Sequence, residues 1–566
     1  MHLLQLPVDI IIAIISHLAT AQDLHSCNQT CRAIHNLFES SPRLYHKLSL
    51  ARAGLVDTPY GIQTKSLHDR TRLVVELEQR WWPRCLLSRR QLKILLDSPC
   101  TDYQICNGII VAGILSPTGD SLHELQVYRL PSYLTDLKSK LWRHKVQEDK
   151  YIRQLKVDPS QDLLVLVGVG PPDFGHFDSS TKYSINLHLR TLSTNDHHPA
   201  ASLATLSLDG VLSTQPFVHP NSRGRVAVRI CEDILGILTN PDSTDPATEN
   251  TFQTLVIWQW TSGQQIMVLS SLDNVIINDL AFVGRHTMLL THSITPTGPG
   301  INVLHLASGQ LYARTPDATI PLLDSLETSV FFQLPSPPSC SRECLKMGSI
   351  KIIGEPPAGA FQLMPEDNNR APRVFTPDPS EMARIIAFSL PIQVMGFGST
   401  QTNTINHTLL TRASVFSAPC SLKHFYTFNE WNFQGTHWFS GEPGFIHGQR
   451  YALASSQYPR TKVDIYDFNP CHVESPSPGW LLLFKEGNSK FSPDVVPKIS
   501  PYKTKCGHKR YLNSELRSTM RHRRQSMKAG LARQQDRVIS ALDSESVITI
   551  ELERGGLVRG FVAYNL

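Results

Sequence analysis

The chain has 566 residues, with 54 Lys and Arg against 49 Asp and Glu, and a formal net charge of +5. Its 41% apolar and 18% charged content belongs to a folded globular protein, and 38 prolines with 32 glycines exclude wholesale disorder. So small a charge makes no nucleic-acid binder unless it is concentrated somewhere. No apolar run approaches the ~20 residues of a bilayer span. The N-terminal MHLLQLPVDIIIAIISHLA lacks a basic leader region, and Pro7 and Asp9 stand where a secretory signal would begin its apolar core. The 11 cysteines are odd in number and form no dense framework, which suits a reducing compartment, cytoplasmic or nuclear.

The first fifty residues predict three short helices. Pro7 fits the first turn of a helix, where its missing N–H is not needed. Ile10, Ile14 and Leu18 follow at four-residue spacing, with Ile11 and Ile15 on the adjoining row. The isoleucine run also fits a strand; the proline start and the helical continuation favour helix. A helix this apolar must be buried on more than one side. Thr20 with Asp23 resembles a capping box, and Leu24, Cys27, Cys31, Ile34 and Leu37 then form one stripe. Ser41-Pro42 is a fresh cap, opening a helix through Leu44 and Leu48. Three such helices cannot bury this much aliphatic surface among themselves, and a leftover apolar face on a small unit reads as a partner site.

Leu6-Pro7-x-Asp9-Ile10-Ile11-x-x-Ile14-Ile15-x-x-Leu18, then Asp23-Leu24, then Thr30-Cys31-Arg32-Ala33-Ile34, resemble an F-box. Thr30 stands where that family usually has Val, and Ile34 where it often has Trp. The resemblance implies a helical module that docks on a Skp-type adaptor and through it on a cullin. It also implies that Leu6, Pro7, Ile10, Ile14, Leu18, Leu24 and Cys31 contribute to the contact or to the packing behind it. Residues 1–50 are assigned to this module, and residues 51–104 to a helical linker. In the linker, Leu73 and Leu77 with Trp81 or Trp82 form one stripe, and Leu92, Leu95 and Leu96 another, broken at Pro83. A Trp-bearing helix after the module resembles F-box proteins of mushroom-forming fungi.

From about residue 105 the periodicity becomes that of strands. β-rich runs separated by polar turns recur to the C-terminus, among them 109–115, 122–130, 152–157, 226–230, 254–260, 301–306 and 547–552. LVIWQWTSGQ and NVLHLASGQ match each other and look like the last strand and turn of a WD-repeat blade, with Val463 to Asp467 as another copy. Their glycines, Gly263 and Gly309, fall about one blade apart, since a blade takes ~40–45 residues. No Gly-His opener recurs, and Trp258 is followed by Gln259 where that repeat has Asp, so blade number is not readable. The predicted fold is therefore α+β and multidomain: F-box, helical linker, and a β-propeller-like domain over 105–566. Insertions are expected near 239–251, 333–383 and 498–540. A large β-sandwich is the alternative.

Catalytic constellations are missing from the sequence. There is no phosphate loop, His-Glu-x-x-His or Gly-x-Ser-x-Gly, and Gly168-Val169-Gly170 runs into two prolines that forbid a dinucleotide-binding helix. Neither Cys340/Cys344 nor Cys100/Cys106 has a partner pair at zinc spacing, and His197-His198 sit in a polar loop that reads as exposed. No cofactor or metal is implied. The charge is concentrated in residues 503–537, with 11 Lys and Arg against Glu515 and Asp536. That run reads as a solvated insertion, with a nucleic-acid contact through Arg521, Arg523 and Arg524 as its functional alternative. The expected function is a non-catalytic, target-binding adaptor of an SCF-type ubiquitin ligase, with no membrane partner. The alternative is a propeller scaffold or nuclear regulator that uses the basic segment and joins no ligase.

Overall fold

The computed structural model describes residues 3–18, 20–81, 91–117, 121–146, 152–170, 183–212, 225–240, 253–271, 276–294, 298–306, 330–335, 343–354, 373–380, 383–396, 402–417, 425–432, 436–440, 444–457, 460–469, 523–531, 537–542, 545–552 and 557–565. Its N-terminal part is helical: α1 (Val8–Ser16), α2 (Ala21–Thr30), α3 (Arg32–Ser40) and α4 (Pro42–Ala53). A short strand β1 (Leu55–Asp57), then α5 (Pro59–Thr64) and α6 (Leu67–Arg80), complete it.

The capping residues act as their chemistry demands. Thr20 Oγ1 accepts from Asp23 N at 3.0 Å, and Ser41 caps α4 with Pro42 in its first turn. Gly54 ends α4 in a left-handed conformation (φ 67°), which glycine adopts without strain. The single stripe expected from Leu24 to Leu37 is two helices. Cys31 is extended (φ −159°, ψ 162°) and separates α2 from α3. Thr30 Oγ1 bonds the Cys27 carbonyl at 2.6 Å there, a local bond that competes with helix continuation.

The rest is a seven-bladed β-propeller. Strand β2 (Gln91–Cys106) is followed in blade one by β3 (Ile109–Leu115), β4 (Leu122–Arg129) and β5 (Lys140–Lys145). Blade two is β6 (Ile152–Asp158), β7 (Leu163–Gly170), β8 (Tyr183–Thr191) and β9 (Thr205–Leu212). Blade three is β10 (Arg225–Cys231), β11 (Ile234–Asn240), β12 (Gln253–Gln259) and β13 (Gln264–Ser271). Blade four is β14 (Ile276–Gly284), β15 (Thr287–Ile294), β16 (Gly300–His305) and β17 (Val330–Gln333). Blade five holds β18 (Glu343–Met347), β19 (Lys351–Ile353), β21 (Ile385–Gly396), β22 (Thr402–Arg412) and β24 (Thr436–Ser440). Two short strands leave it: β20 (Phe375–Pro377) pairs with β1, and β23 (Phe425–Tyr426) adds a parallel fifth strand to blade four. Blade six is β25 (Phe445–His447), β26 (Arg450–Gln457), β27 (Arg460–Asp467) and β28 (Arg523–Leu531). Blade seven starts with β29 (Arg537–Leu542), β30 (Ser546–Leu552) and β31 (Val558–Asn565).

Strand β2 closes the ring. Gln91 to Leu95 pair with β31 as the outer strand of blade seven, and Cys100 to Cys106 pair with β3 as the inner strand of blade one. The helical stripe expected at Leu92, Leu95 and Leu96 is therefore a strand, so the linker is helical only to Arg80 and strand structure begins well before residue 105. The period along it is two: Ile94 is buried, while Lys93 and Leu95 are exposed. Each seam between neighbouring blades is filled by aliphatic side chains from both, as where Val165 and Leu187 of blade two meet Val228 and Ile230 of blade three.

The repeats noticed in the sequence sit one strand further in than expected. LVIWQ lies in β12, NVLH in β16 and Val463 to Asp467 in β27, each the third strand of its blade. Thr261-Ser262-Gly263 turns into a fourth strand, β13, and Gly263 takes φ 73°. The expected insertion near 239–251 falls mostly outside the described residues, as do most of 333–383 and 498–540. Arg523 and Arg524 open strand β28, opposite Asp467 and Tyr466 of β27, so this part of the basic run is blade strand and not insertion. Arg521 lies outside the described residues. His198 is buried, not exposed; its Nε2 meets the Gln161 carbonyl at 3.0 Å and its ring packs edge-on against Trp260.

Candidate functional site

The N-terminal helices close around Ile11, Ile15, Leu24, Ile34, Phe38, Leu44 and Leu48, all buried. That core uses one side of α1 only. The opposite side is apolar and open to solvent: Ile10 is 48% exposed and Ile14 44%, while Val8 at the first residue of the helix and Leu3 and Leu4 in the turn before it are exposed as well. Because α1 repeats every 3.6 residues, Ile10 and Ile14 stand one turn apart on a single ridge.

Among the residues picked out from the sequence, Pro7, Ile10 and Ile14 share this ridge, and Leu6 and Leu18 are half-buried at its base. Leu24 is part of the core behind the ridge, and Cys31 is exposed at the junction of α2 and α3. Leu3, Leu4 and Val8 were missed by sequence reasoning. The signal was there, because the apolar run extends through Leu3 and Leu4 on the N-terminal side of Leu6.

The helical part is fastened to one face of the propeller, the face carrying the turns between first and second and between third and fourth strands. Three buried polar clusters make the joint. Arg450 Nη2 meets Glu78 of α6 at 2.7 Å, its Nε reaches Asp467 at 3.4 Å, and its guanidinium lies 4.5 Å over the Trp81 ring. Burial alone would lower the Arg450 pKa, but Glu78 and Asp467 more than offset it, so the guanidinium stays charged. Arg373, just before β20, meets Glu545 at 2.6 Å, and Glu545 also accepts from Ser132 Oγ at 2.9 Å and Tyr133 N at 3.1 Å. Arg80 stacks 3.5 Å over the Tyr133 ring. Nearer the N-terminus, Asp57 binds both His46 (2.8 Å) and Arg70, and Thr58 bonds the carbonyls of Arg373 and Val374. Asn469 Nδ2 donates to Arg52 O at 2.6 Å, and Asp378 N to Gly54 O at 3.0 Å.

Trp81 therefore packs α6 on the propeller, as its apolar stripe predicts, together with Leu73, Val74 and Leu77. Trp82 lies outside the described residues. Among the described residues no group of three His, Cys, Asp or Glu is placed to hold a metal ion, and no helix is long and apolar enough to cross a membrane.

A family model described as F-box-like matches residues 3–51. The chain carries an F-box-like domain. The match covers the four helices that enclose the Ile11 and Leu24 core and present the Ile10 and Ile14 ridge. No curated protein matches the chain. Among solved structures, Raptor from Chaetomium thermophilum aligns at 9% identity and a TM-score of 0.34. That alignment covers 100% of this chain and 40% of Raptor, so the chain spans less than half of that protein's length. A polysaccharide lyase of family PL25, an ulvan lyase bound to a sulfated glucuronyl-rhamnose unit, aligns at 6% identity and a TM-score of 0.35. It is covered over 96% of its length by 84% of this chain.

Proposed function

We propose that this chain is the substrate-recognition subunit of an SCF-type ubiquitin ligase. The F-box would dock on a Skp-type adaptor, and through it on a cullin, while the propeller captures a target protein. The observation that carries the reading is the ridge of Ile10 and Ile14, left exposed on a helix whose other side completes a core. Leu6, Pro7 and Leu18 would extend that contact and Leu24 supports it from behind, while Cys31, exposed between α2 and α3, would add to it.

The target would meet the propeller on the face opposite the F-box, because the residues of the joint all belong to the other face. Ubiquitin transfer would belong to the E2 enzyme that the complex recruits. This chain's contribution is proximity, which raises the effective concentration of target lysines near that enzyme. The test is co-purification of the full chain with a Skp-type adaptor. Deleting residues 1–50 should abolish it, and Ile10→Asp with Ile14→Asp should do so while the protein stays folded. Retention of the adaptor by either variant defeats the proposal.

A further inference from the structure

Each blade's inner strand has one edge without a ladder partner, facing the central channel, and the backbone groups along it need partners from elsewhere. Side-chain acceptors from the preceding blade supply them at three seams, one of them between blades three and four, where Gln253 accepts from Ile277 N at 2.7 Å. Asp102 accepts from Leu155 N at 2.6 Å and Gln104 from Val157 N at 2.7 Å, between blades one and two. Asn278 accepts from Ile350 N at 3.2 Å and Asp279 from Ile352 N at 3.0 Å, between blades four and five. In each case the amide belongs to a residue whose side chain packs toward the preceding blade.

Between blades two and three the pattern changes sign. Leu155 and Val157 face blade one, so Lys156 between them faces blade three, as Gln104 faces blade two. A lysine only donates and cannot cap an amide. The blade-three residues that pack toward blade two, and so occupy the positions of Leu155 and Val157, are Val228 and Ile230. The Val228 carbonyl accepts from Arg229 Nη1 at 3.2 Å, whereas no side chain among the described residues accepts from the amide of Val228 or Ile230.

Lys156 is partly buried, and its ammonium has no hydrogen bond or ion pair among the described residues. The other charges in reach are Arg229, Asp102 and Asp279. Arg229 is spent on Asp279, with both carboxylate oxygens 3.0 Å from Nη2; Asp279 also accepts from Leu280 N and Ile352 N, and Asp102 from Leu155 N. Burial and then the charge of Arg229 push the Lys156 ammonium below the usual lysine range, against the pull of Asp102 and Asp279. An unpaired cation beside a second cation is a costly arrangement that a bound anion relieves.

We propose that the channel between blades two and three, near its F-box-side mouth, binds a small oxyanion of the phosphate and sulfate class. The Lys156 ammonium and the inner-edge amides of Val228 and Ile230 hold it. Lys156 lies two residues before the end of β6, which leads into the turn on that face. The site is independent of adaptor docking.

Thermal melts and calorimetric titrations of the full chain test it, with inorganic phosphate or sulfate replacing chloride at constant ionic strength. Phosphate should raise the melting temperature saturably in the wild type. Lys156→Met should weaken phosphate binding about tenfold or more, since a charge-assisted contact is lost. In oxyanion-free buffer the same variant should melt at or above the wild type, because it removes an unpaired cation; Lys156→Arg should keep the phosphate response. Equal stabilisation of Lys156→Met by phosphate, or no saturable response in the wild type, overturns the proposal.

Discussion

Truncating the exposed ridge of α1 separates docking from folding. Full burial of an isoleucine side chain is worth ~1.5–3 kcal/mol. Ile10 and Ile14 leave 48% and 44% of their surface to be covered by a partner. Each then contributes about 0.7–1.4 kcal/mol to docking, of which alanine keeps a part. A single Ile→Ala change should weaken adaptor binding about threefold to fivefold, and Ile10→Ala with Ile14→Ala together about tenfold to thirtyfold. Neither change should shift the melting temperature by more than a degree or two, because neither side chain belongs to the core. Ile11 and Ile15, at 3% and 2% exposure, provide the contrast: alanine there should destabilise the helices by about 2–4 kcal/mol. The assay is a titration of each folded variant against an immobilised Skp-type adaptor, with melting followed by circular dichroism. Unchanged affinity in the double variant refutes the reasoning, as does an Ile11→Ala variant that loses binding with its stability intact.

Arg450→Met should destabilise the joint between α6 and blade six by about 3 kcal/mol or more, since it strands the buried carboxylates of Glu78 and Asp467. Arg450→Lys keeps the charge but not the fork, and should fall between them in chemical denaturation. His292, fully buried with neither ring nitrogen hydrogen-bonded among the described residues, has its pKa lowered by burial to about 3. A lowered histidine pKa means the unfolded chain binds the extra proton first. That contribution to stability is whole above about pH 6.5 and is lost as pH falls toward 3. His292→Leu should therefore flatten the acid limb of the stability curve by about 2–3 kcal/mol between pH 6.5 and 4.5; an unchanged slope contradicts the burial argument. Gly108 holds φ +74° in the turn after β2, with the Arg373 guanidinium where a Cβ would stand. Gly108→Ala should cost about 1 kcal/mol or more, and limited proteolysis should then cut sooner between β20 and β21.

How much of this was legible depended on how local each cause was. The caps at Thr20 and Ser41, the Ile10 to Ile15 run and the turn at Gly263 are set by neighbours in sequence, and could be read there. So could the family pattern, because its spacing reflects one small helical core. The strand identity of Gln91–Cys106 could not: Leu92, Leu95 and Leu96 fit either period, and the choice is made by β31 at the other end of the chain. The break at Cys31 was hidden because apolar spacing runs straight across it. Likewise β1 exists only because β20 reaches it from blade five, and His198 is buried only because Trp260 of the next blade covers it. At the docking ridge, residue type identified Ile10 and Ile14 but could not tell them from Ile11 and Ile15. Only the packing of Leu24 and Phe38 against one side makes that distinction.

Strand β2 has a consequence for the order in which the molecule can be made. Its first half leaves the ribosome shortly after the F-box, yet its ladder partner β31 is translated only after every other strand of the propeller. The docking helices can thus be finished while the ring is still an open arc with two unsatisfied edges. A chain released early, before Val558, would carry a complete F-box and an unclosed propeller. If the chain docks on an adaptor as proposed, such a product would compete for it without a closed propeller, its sheet edges left unpaired.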